Sequence, residues 1–553
     1  MATQKIIVIG GVAAGASFAA RLRRLDEHAQ ITLLERGPDV SFANCGLPYY
    51  VGGEITERSA LAVQTPESLT ALLALDVRTG CEAVSIDRAG RRVEVRYVAD
   101  DRREWLAYDK LMLAPGAKPL RPNLPGIDDS RVMTLRNLQD MDRIAAAAVP
   151  GKRAVVIGAG FIGVEMSEQL RHKGLSVHLV ELQPQIFPQL DAPMTALLES
   201  ELRANDVDII LCDGVARFEP VAGELNCHLN SGRVLAADLV ILSIGVMPDT
   251  ALAREAGLAL GARGHIVVNN FMQTSDPAIY AAGDAVLTAD RLSGEAVNLP
   301  MGGPANRQGR VAADHICLGE KAQAYPGSLG TAIVRGFSVA AGITGWSEKR
   351  LQAAGSAYES VTVNAEHHAG YYPGAQPITL KILWESASGR LLGAQATGCE
   401  GIDKRLDVLA TAIIAGMTID DLCHLEFAYA PPFGAAKDVI NLAGFVACDR
   451  RDGLVRHVTE LPQDPQVQIV DVRGKALAEA FPLPVAALNI PFPTLRDNLA
   501  SLDRSRPVVT VCAMGKTSYF AARVLTQEGF DVKSFSGGVR GNLDPRSPGK
   551  VSG

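Results

Sequence analysis

The sequence predicts an α/β protein assembled around two dinucleotide-binding units of the Rossmann type, on three observations. An apolar run, a glycine-rich turn, an alanine-rich segment and a second apolar run ending in an acid follow one another from Lys5 to Glu35. The same order recurs from Arg153 to Glu181. Short apolar segments closed by tight turns lie between and beyond the two, as in parallel strands joined through helices.

The first unit opens on Lys5-Ile6-Ile7-Val8-Ile9, a strand whose last four residues are a continuous apolar run of the kind buried on both faces. Gly10-Gly11-Val12-Ala13-Ala14-Gly15 follows, then a helix to about Leu25, then a strand at residues 31–34 ending in Glu35. Glycines in such a turn let backbone approach a pyrophosphate at the helix N-terminus, and the acid takes a ribose hydroxyl. Val12 stands where the strict pattern has its middle glycine. In the second unit the strand at residues 153–157 leads into Gly158-Ala159-Gly160-Phe161-Ile162-Gly163, a complete G-x-G-x-x-G, and a helix through Arg171. The strand at residues 177–180 closes on Glu181, which accepts from a 2′-hydroxyl and repels a 2′-phosphate, so NADH is expected over NADPH.

Length and composition bound the rest. The 553 residues suffice for three or four domains, and a net charge of −7 argues against non-specific nucleic-acid binding. Nine cysteines without framework spacing fit a reducing compartment. Met1 runs almost directly into the first strand, leaving no room for a signal peptide, and no apolar run is long enough for a bilayer. A soluble, cytoplasmic protein with neither nucleic-acid nor membrane partners is expected, and no metal site.

The stretch Ser41-Phe42-Ala43-Asn44-Cys45-Gly46-Leu47-Pro48-Tyr49-Tyr50 places one cysteine in a turn that opens the next helix. A helix N-terminus favours thiolate over thiol. The next cysteine is Cys81, so no Cys-x-x-Cys dithiol exists, and any redox cycle at Cys45 takes its second sulfur or oxygen from a bound molecule. Taken alone, Cys45 fits a small buried apolar side chain better, and the neighbouring motifs reverse that preference. Further tight turns close the runs at Leu111-Met112-Leu113-Ala114-Pro115-Gly116 and at residues 239–245, and Tyr280-Ala281-Ala282-Gly283-Asp284 ends another strand on an acid.

These signatures together resemble the two-dinucleotide flavoprotein disulfide reductases. The resemblance implies FAD at Gly10, Gly15, Glu35 and Asp284, and NADH at Gly158, Gly160, Gly163 and Glu181. It implies an FAD-binding domain at 1–116 and 246–323, interrupted by an NADH-binding domain at 117–245. An α+β dimerisation domain at 324–448, and hence a homodimer, would follow, then a charged, Gly-ended linker at 449–456. From 457 to 553 the chain resembles a C-terminal α/β rhodanese domain, through Asp471-Val472-Arg473, Cys512-Ala513-Met514-Gly515-Lys516-Thr517-Ser518 and Phe535-Ser536-Gly537-Gly538. A loop between strand and helix converges N–H groups on Cys512, and Lys516 adds positive potential, which suits a thiolate or persulfide anion. Phosphatase loops of this architecture are longer and end in Arg, so sulfur is expected rather than phosphate.

Within the single-cysteine branches, the peroxide-reducing one has a His in the first glycine turn, where this chain has Ala13-Ala14. The coenzyme A disulfide reductases have Ser-Phe-x-x-Cys-Gly-Leu-Pro-Tyr, which residues 41–49 match. Fused to rhodanese, that branch comprises the NADH-dependent persulfide reductases. The resemblance implies that Tyr371 and Tyr429 reach the cysteine from the partner subunit, and that Ser17, Arg21, Arg24, Ser41, Asn44 and Lys437 bind coenzyme A. Ser17, Arg21 and Arg24 share one helix face, a spacing that suits phosphates and equally an ordinary solvated face. The expected activity is NADH-driven, FAD-dependent reduction of persulfides, polysulfides or coenzyme A disulfides through Cys45, with Cys512 handling sulfane sulfur. Two readings compete: an NADH oxidase or peroxidase using a Cys45 sulfenic acid, and a non-reductive sulfur carrier or redox sensor.

Overall fold

The strand Lys5–Ile9 is apolar after its exposed Lys5 because both faces of Ile6, Ile7, Val8 and Ile9 are covered. It is the central strand of a five-stranded parallel sheet, between Lys110–Leu113 and Gln30–Leu34, with Ile279–Ala281 and Asp76–Arg78 at the edges. Ile6 and Val8 pack with Phe18, Leu22 and Leu33, while Ile7 and Ile9 pack with Leu111, Val93 and Val95 on the other face. The Ala13–Leu25 and Gly302–Leu318 helices meet closely on the first face. A side chain at Gly309 would lie 2.3 Å from the Ala14 carbonyl oxygen.

The computed structural model describes residues 3–221 and 223–543. It divides into two units, Met1–Leu182 with Asp208–Ser328, and Gln183–Val207 with Leu329 onward. The first unit also holds a second sheet, in which Arg153–Ile157 pairs in parallel with Ser176–Val180 and Leu239–Leu242. Ala117–Pro119 and Val246–Pro248, the two connections between these sheets, run antiparallel side by side.

In the second unit an antiparallel sheet orders Ala332–Gly336, Val339–Gly345, Leu391–Gly398, Pro377–Glu385 and Tyr358–Glu366. A parallel sheet follows, in the order His457–Val458, Val532–Phe535, Val508–Val511, Gln468–Asp471 and Leu488–Asn489. The buried Arg473 and Asp471 of the Asp-Val-Arg segment form a two-pronged ion pair at 2.9 and 2.6 Å.

Three segments near the expected boundaries have partners that bear on them. Residues 183–207, expected in the NADH-binding domain, belong to the second unit, because buried Asp191 accepts from Lys381 (2.8 Å) and Gln395 (2.6 Å) there. Residues 324–328, expected in the dimerisation domain, stay with the first unit, where the Tyr325 N–H donates to Asn270 O at 2.7 Å. The linker expected at 449–456 is helical at its start: the helix Val439–Arg451 runs into its first three residues, and Gly453 then takes φ +72°. Its charges find partners, Asp449 accepting from Tyr519 at 2.7 Å and Arg451 meeting Asp420, so composition that reads as a break is helix. The last part of the expected rhodanese domain, 544–553, lies outside the described residues. Among the described residues no helix is long and apolar enough to cross a membrane.

Candidate functional site

The two glycine turns have the same build. Gly10 (φ +96°) and Gly158 (φ +94°) sit where a side chain would meet the Ala114 and Ser243 carbonyl oxygens at 2.1 and 2.6 Å. Gly15 and Gly163 each place a would-be Cβ 1.8 Å from the first glycine's carbonyl oxygen, so helix packs directly on turn. Gly160 differs, with no heavy atom within 4 Å of its would-be Cβ, which leaves open space at the N-terminus of Phe161–His172. Val12 takes the equivalent place before Ala13–Leu25. Each closing acid also holds its own turn. The Gly11 and Gly37 N–H groups donate to Glu35 at 2.9 Å each, and the Ala159 N–H donates to Glu181 at 2.7 Å.

The Cys45 stretch is fastened to the first turn. Ser41 takes a left-handed φ of +46°, a conformation costing about 1–3 kcal/mol for a residue with a side chain. Its N–H donates to Gly11 O at 2.8 Å and its carbonyl accepts from Val63 N–H at 2.9 Å, which hold that geometry. Asn44–Gly46 forms one tight turn before the six-residue helix Leu47–Gly52, and both Asn44 and Cys45 are exposed.

Sequence alone favoured a thiolate here; the structure reverses that. The thiol touches solvent, yet the protein around it pushes Cys45 up by desolvation first, with the charges of Glu165 and Asp284 adding to the effect. The helix is short and begins beyond Cys45, so its dipole loses to two carboxylates.

Glu165 was not singled out by sequence reasoning. It accepts from Tyr49 OH at 3.4 Å, bringing the helix of the second dinucleotide unit onto the Cys45 helix. Gln169, one turn later, donates to Glu54 at 2.8 Å, and a side chain on Gly52 would collide with it at 1.9 Å. The signal available was Glu165 and Gln169 spaced four apart just after a glycine turn, but nothing local said what they face. Burial also raises the Asp284 carboxyl, against the opposing charge of Arg136. Oxygen and nitrogen atoms of Glu54, Glu168 and His172 lie within 4.8 Å of one another.

The expected coenzyme A residues are placed unequally. Ser17 donates to Asn306, and Arg21 forms an ion pair with Asp314 at 2.6 Å, so its charge is already engaged. Arg24 is exposed, Ser41 is half-buried beside the glycine turn, and Lys437 is exposed just before the helix cap Asp438 in the second unit. The same unit brings Tyr371 and Tyr429 together. Their hydroxyls lie 3.1 Å apart, although 58 residues separate them, and both side chains are exposed. The bond to Tyr429 raises the Tyr371 phenol.

Cys512 is buried at the end of Val508–Val511. The Gly515 N–H donates to its sulfur at 3.1 Å, and Ser518 Oγ lies 3.4 Å away. Gly515, at φ +88°, caps the helix Lys516–Gln527, and Lys516 is exposed at its first turn. Among the described residues, one N–H, that of Gly515, makes the hydrogen bond to the sulfur.

The pyridine nucleotide-disulphide oxidoreductase model matches residues 4–309, its dimerisation-domain model residues 332–439, and a rhodanese-like domain model residues 455–542. The reduced CoADR-RHD of Bacillus anthracis is 42% identical, with 99% of each chain covered and a TM-score of 0.93. A NAD-dependent persulfide reductase from A. fulgidus is 37% identical over 97% of this chain and 99% of its own, with a TM-score of 0.92. The coenzyme A disulfide reductase of Staphylococcus haemolyticus (strain JCSC1435) is 34% identical over 81% of this chain and 100% of its own length.

Proposed function

Because the chain belongs to the pyridine nucleotide-disulphide oxidoreductase family, we propose that it uses NADH to reduce coenzyme A disulfides, persulfides or polysulfides through Cys45. The rhodanese-like domain handles sulfane sulfur at Cys512. The observation that carries this reading is an exposed Cys45 fastened to the first glycine turn through Ser41 and Gly11. The next cysteine in the chain, Cys81, is buried.

The family uses FAD and NADH, and the residues fit both. Gly10, Gly15, Glu35 and Asp284 would hold FAD. Gly158, Gly160, Gly163 and Glu181 would hold NADH, the open side of Gly160 leaving room for a pyrophosphate. Bound there, FAD would supply a hydride acceptor for NADH and an electron pair for sulfur.

Cys45 gives up its proton and attacks one sulfur of the acceptor as the S–S bond breaks; the departing sulfur takes a proton and leaves as thiol, while Cys45 keeps the other in a mixed disulfide. Two electrons and two protons, the equivalent of NADH and H⁺, would then free the second thiol and restore the Cys45 thiol. The balance is NADH + H⁺ + RSSR′ → NAD⁺ + RSH + R′SH, with R′ as hydrogen and H₂S as a product when the acceptor is a persulfide. Desolvation first, and then the charges of Glu165 and Asp284, push the resting Cys45 thiol up. Tyr371 and Tyr429 of one subunit protonate or orient the thiolate leaving Cys45 of the other. Ser17, Arg24, Ser41, Asn44 and Lys437 bind coenzyme A, and Arg21 joins them only by sharing or leaving Asp314. Cys512 carries the sulfane sulfur, with the Gly515 N–H on the anion. A homodimer in a reducing cytoplasm is supported by the dimerisation-domain match and nine unpaired cysteines.

The test measures NADH oxidation with coenzyme A disulfide, coenzyme A persulfide, glutathione persulfide and polysulfide in parallel, with sulfide quantified. Sulfide should appear with the persulfides and polysulfide and be absent with the disulfide. NADH oxidation that tracks oxygen and ignores every sulfur acceptor would overturn the reading in favour of an oxidase.

A further inference from the structure

We propose that Asn364, on the dimerisation-domain strand Tyr358–Glu366, is a positioning residue for the Cys512 sulfur site. Its side-chain amide turns the Met514–Gly515 peptide so that the Gly515 N–H faces the sulfur. This rests on the reading of Cys512 as a sulfur carrier.

The geometry is a consequence of peptide planarity. In a trans peptide the C=O of one residue and the N–H of the next point in opposite directions. Asn364 Nδ2 donates to Met514 O at 3.2 Å and to Gly537 O at 2.7 Å. Drawing the Met514 carbonyl outward sends the Gly515 N–H inward, where it meets Cys512 Sγ at 3.1 Å. The two preceding carbonyls of the loop are held by the rhodanese domain's own backbone. Cys512 O accepts from Val539 N–H and Ala513 O from Arg540 N–H, both at 2.9 Å. Among the described residues, the third carbonyl finds its donor only on another domain.

The amide has one workable orientation. Thr379 Oγ1 donates to Asn364 Oδ1 at 2.6 Å, and the reversed amide would set its oxygen against two carbonyl oxygens. The loop is also seated closely on this strand. Thr362 N–H donates to Ser536 Oγ at 3.0 Å, and a side chain on Gly537 would lie 2.8 Å from Thr362 Cγ2. The strand pairs with Pro377–Glu385 along its other edge, so the edge that meets the rhodanese domain is the one left free by the sheet.

A hydrogen bond to an anionic sulfur is charge-assisted, and misaiming its donor removes stabilisation from the state that reacts. The test uses the full-length, flavin-loaded protein with Asn364→Ala, the isosteric Asn364→Asp, and Thr379→Val, which frees the amide to rotate. Two quantities are read: kcat and KM for sulfur transfer from thiosulfate to cyanide, and the iodoacetamide alkylation rate of Cys512 by mass spectrometry, with Cys45 as internal reference. Both Asn364 variants should lower kcat and the Cys512 alkylation rate about tenfold with KM within about twofold, and Thr379→Val should do the same more weakly. NADH-dependent reduction of coenzyme A disulfide should not change.

If kcat and the alkylation rate of both Asn364 variants stay within about twofold of wild type, or if only KM moves, the proposal is overturned. Should Asn364→Ala fail to fold, Asn364→Asp decides. If wild type shows no sulfur transfer that Cys512→Ser abolishes, the sulfur-carrier reading fails, while the alkylation rates still decide the role of Asn364.

Discussion

At Cys45 the charges nearest the thiol work against the short helix beside it, and Glu165 contributes from a different dinucleotide unit. Removing its charge favours the thiolate, so Glu165→Gln should shift the pH midpoint of Cys45 alkylation downward. An unchanged or higher midpoint would mean that desolvation alone sets this thiol. The paired phenols make a second residue-scale case. Tyr429→Phe deletes one hydroxyl of the 3.1 Å pair and should slow acceptor reduction about ten- to a hundredfold. Flavin reduction by NADH should stay at its wild-type rate in stopped flow, and equal slowing of both half-reactions would remove the phenols from the sulfur step. The stretch from Ser41 to Tyr50 was legible because its chemistry is local. Glu165 was not, since its contact with Tyr49 spans 116 residues and depends on how two helices dock.

A glycine turn shows how one element combines binding with folding, and its glycines separate the two. Gly160 has open space where a side chain would go, whereas at Gly163 a side chain would sit 1.8 Å from Gly158 O. Gly160→Ala should therefore raise KM for NADH while leaving the melting temperature within a degree or two, about the scatter of a neutral surface change. Gly163→Ala should lower the melting temperature by several degrees, about what 1–3 kcal/mol of overpacking does. Differential scanning calorimetry with NADH titration reads both, and the reverse ranking would show that the open side of Gly160 is not where nucleotide binds. In the second unit, Arg405 and Asp438 form a buried pair at 2.6 Å, and Asp438 also caps Val439–Arg451. Arg405→Ala leaves that carboxylate buried without its cation and should cost about 3–5 kcal/mol in chemical denaturation. A loss under about 1 kcal/mol would mean that Asp438 is satisfied by its cap alone.

Across the whole chain, the proposed division of labour sends electrons through Cys45 and sulfur through Cys512. Cys45→Ser should abolish NADH oxidation with every sulfur acceptor, leaving only slow oxidation by oxygen. Cys512→Ser should spare coenzyme A disulfide and lose sulfur transfer. Full polysulfide reduction by Cys45→Ser, or loss of both activities in a folded, flavin-loaded Cys512→Ser, would break that division. Sequence by itself determined the two dinucleotide units, the Cys45 stretch and the rhodanese order. Each is encoded by residues close together in the chain, where glycine sterics, strand burial and turn chemistry act locally. Tertiary structure alone decided that 183–207 leaves its neighbours for the second unit, drawn by the buried partnership of Asp191 with Lys381. It also decided that 449–451 is helix, that Arg21 is already paired, and that Asn364 reaches the Cys512 loop. In each case a polar group is satisfied by a partner many residues away, and local sequence pattern does not say which partner folding will supply.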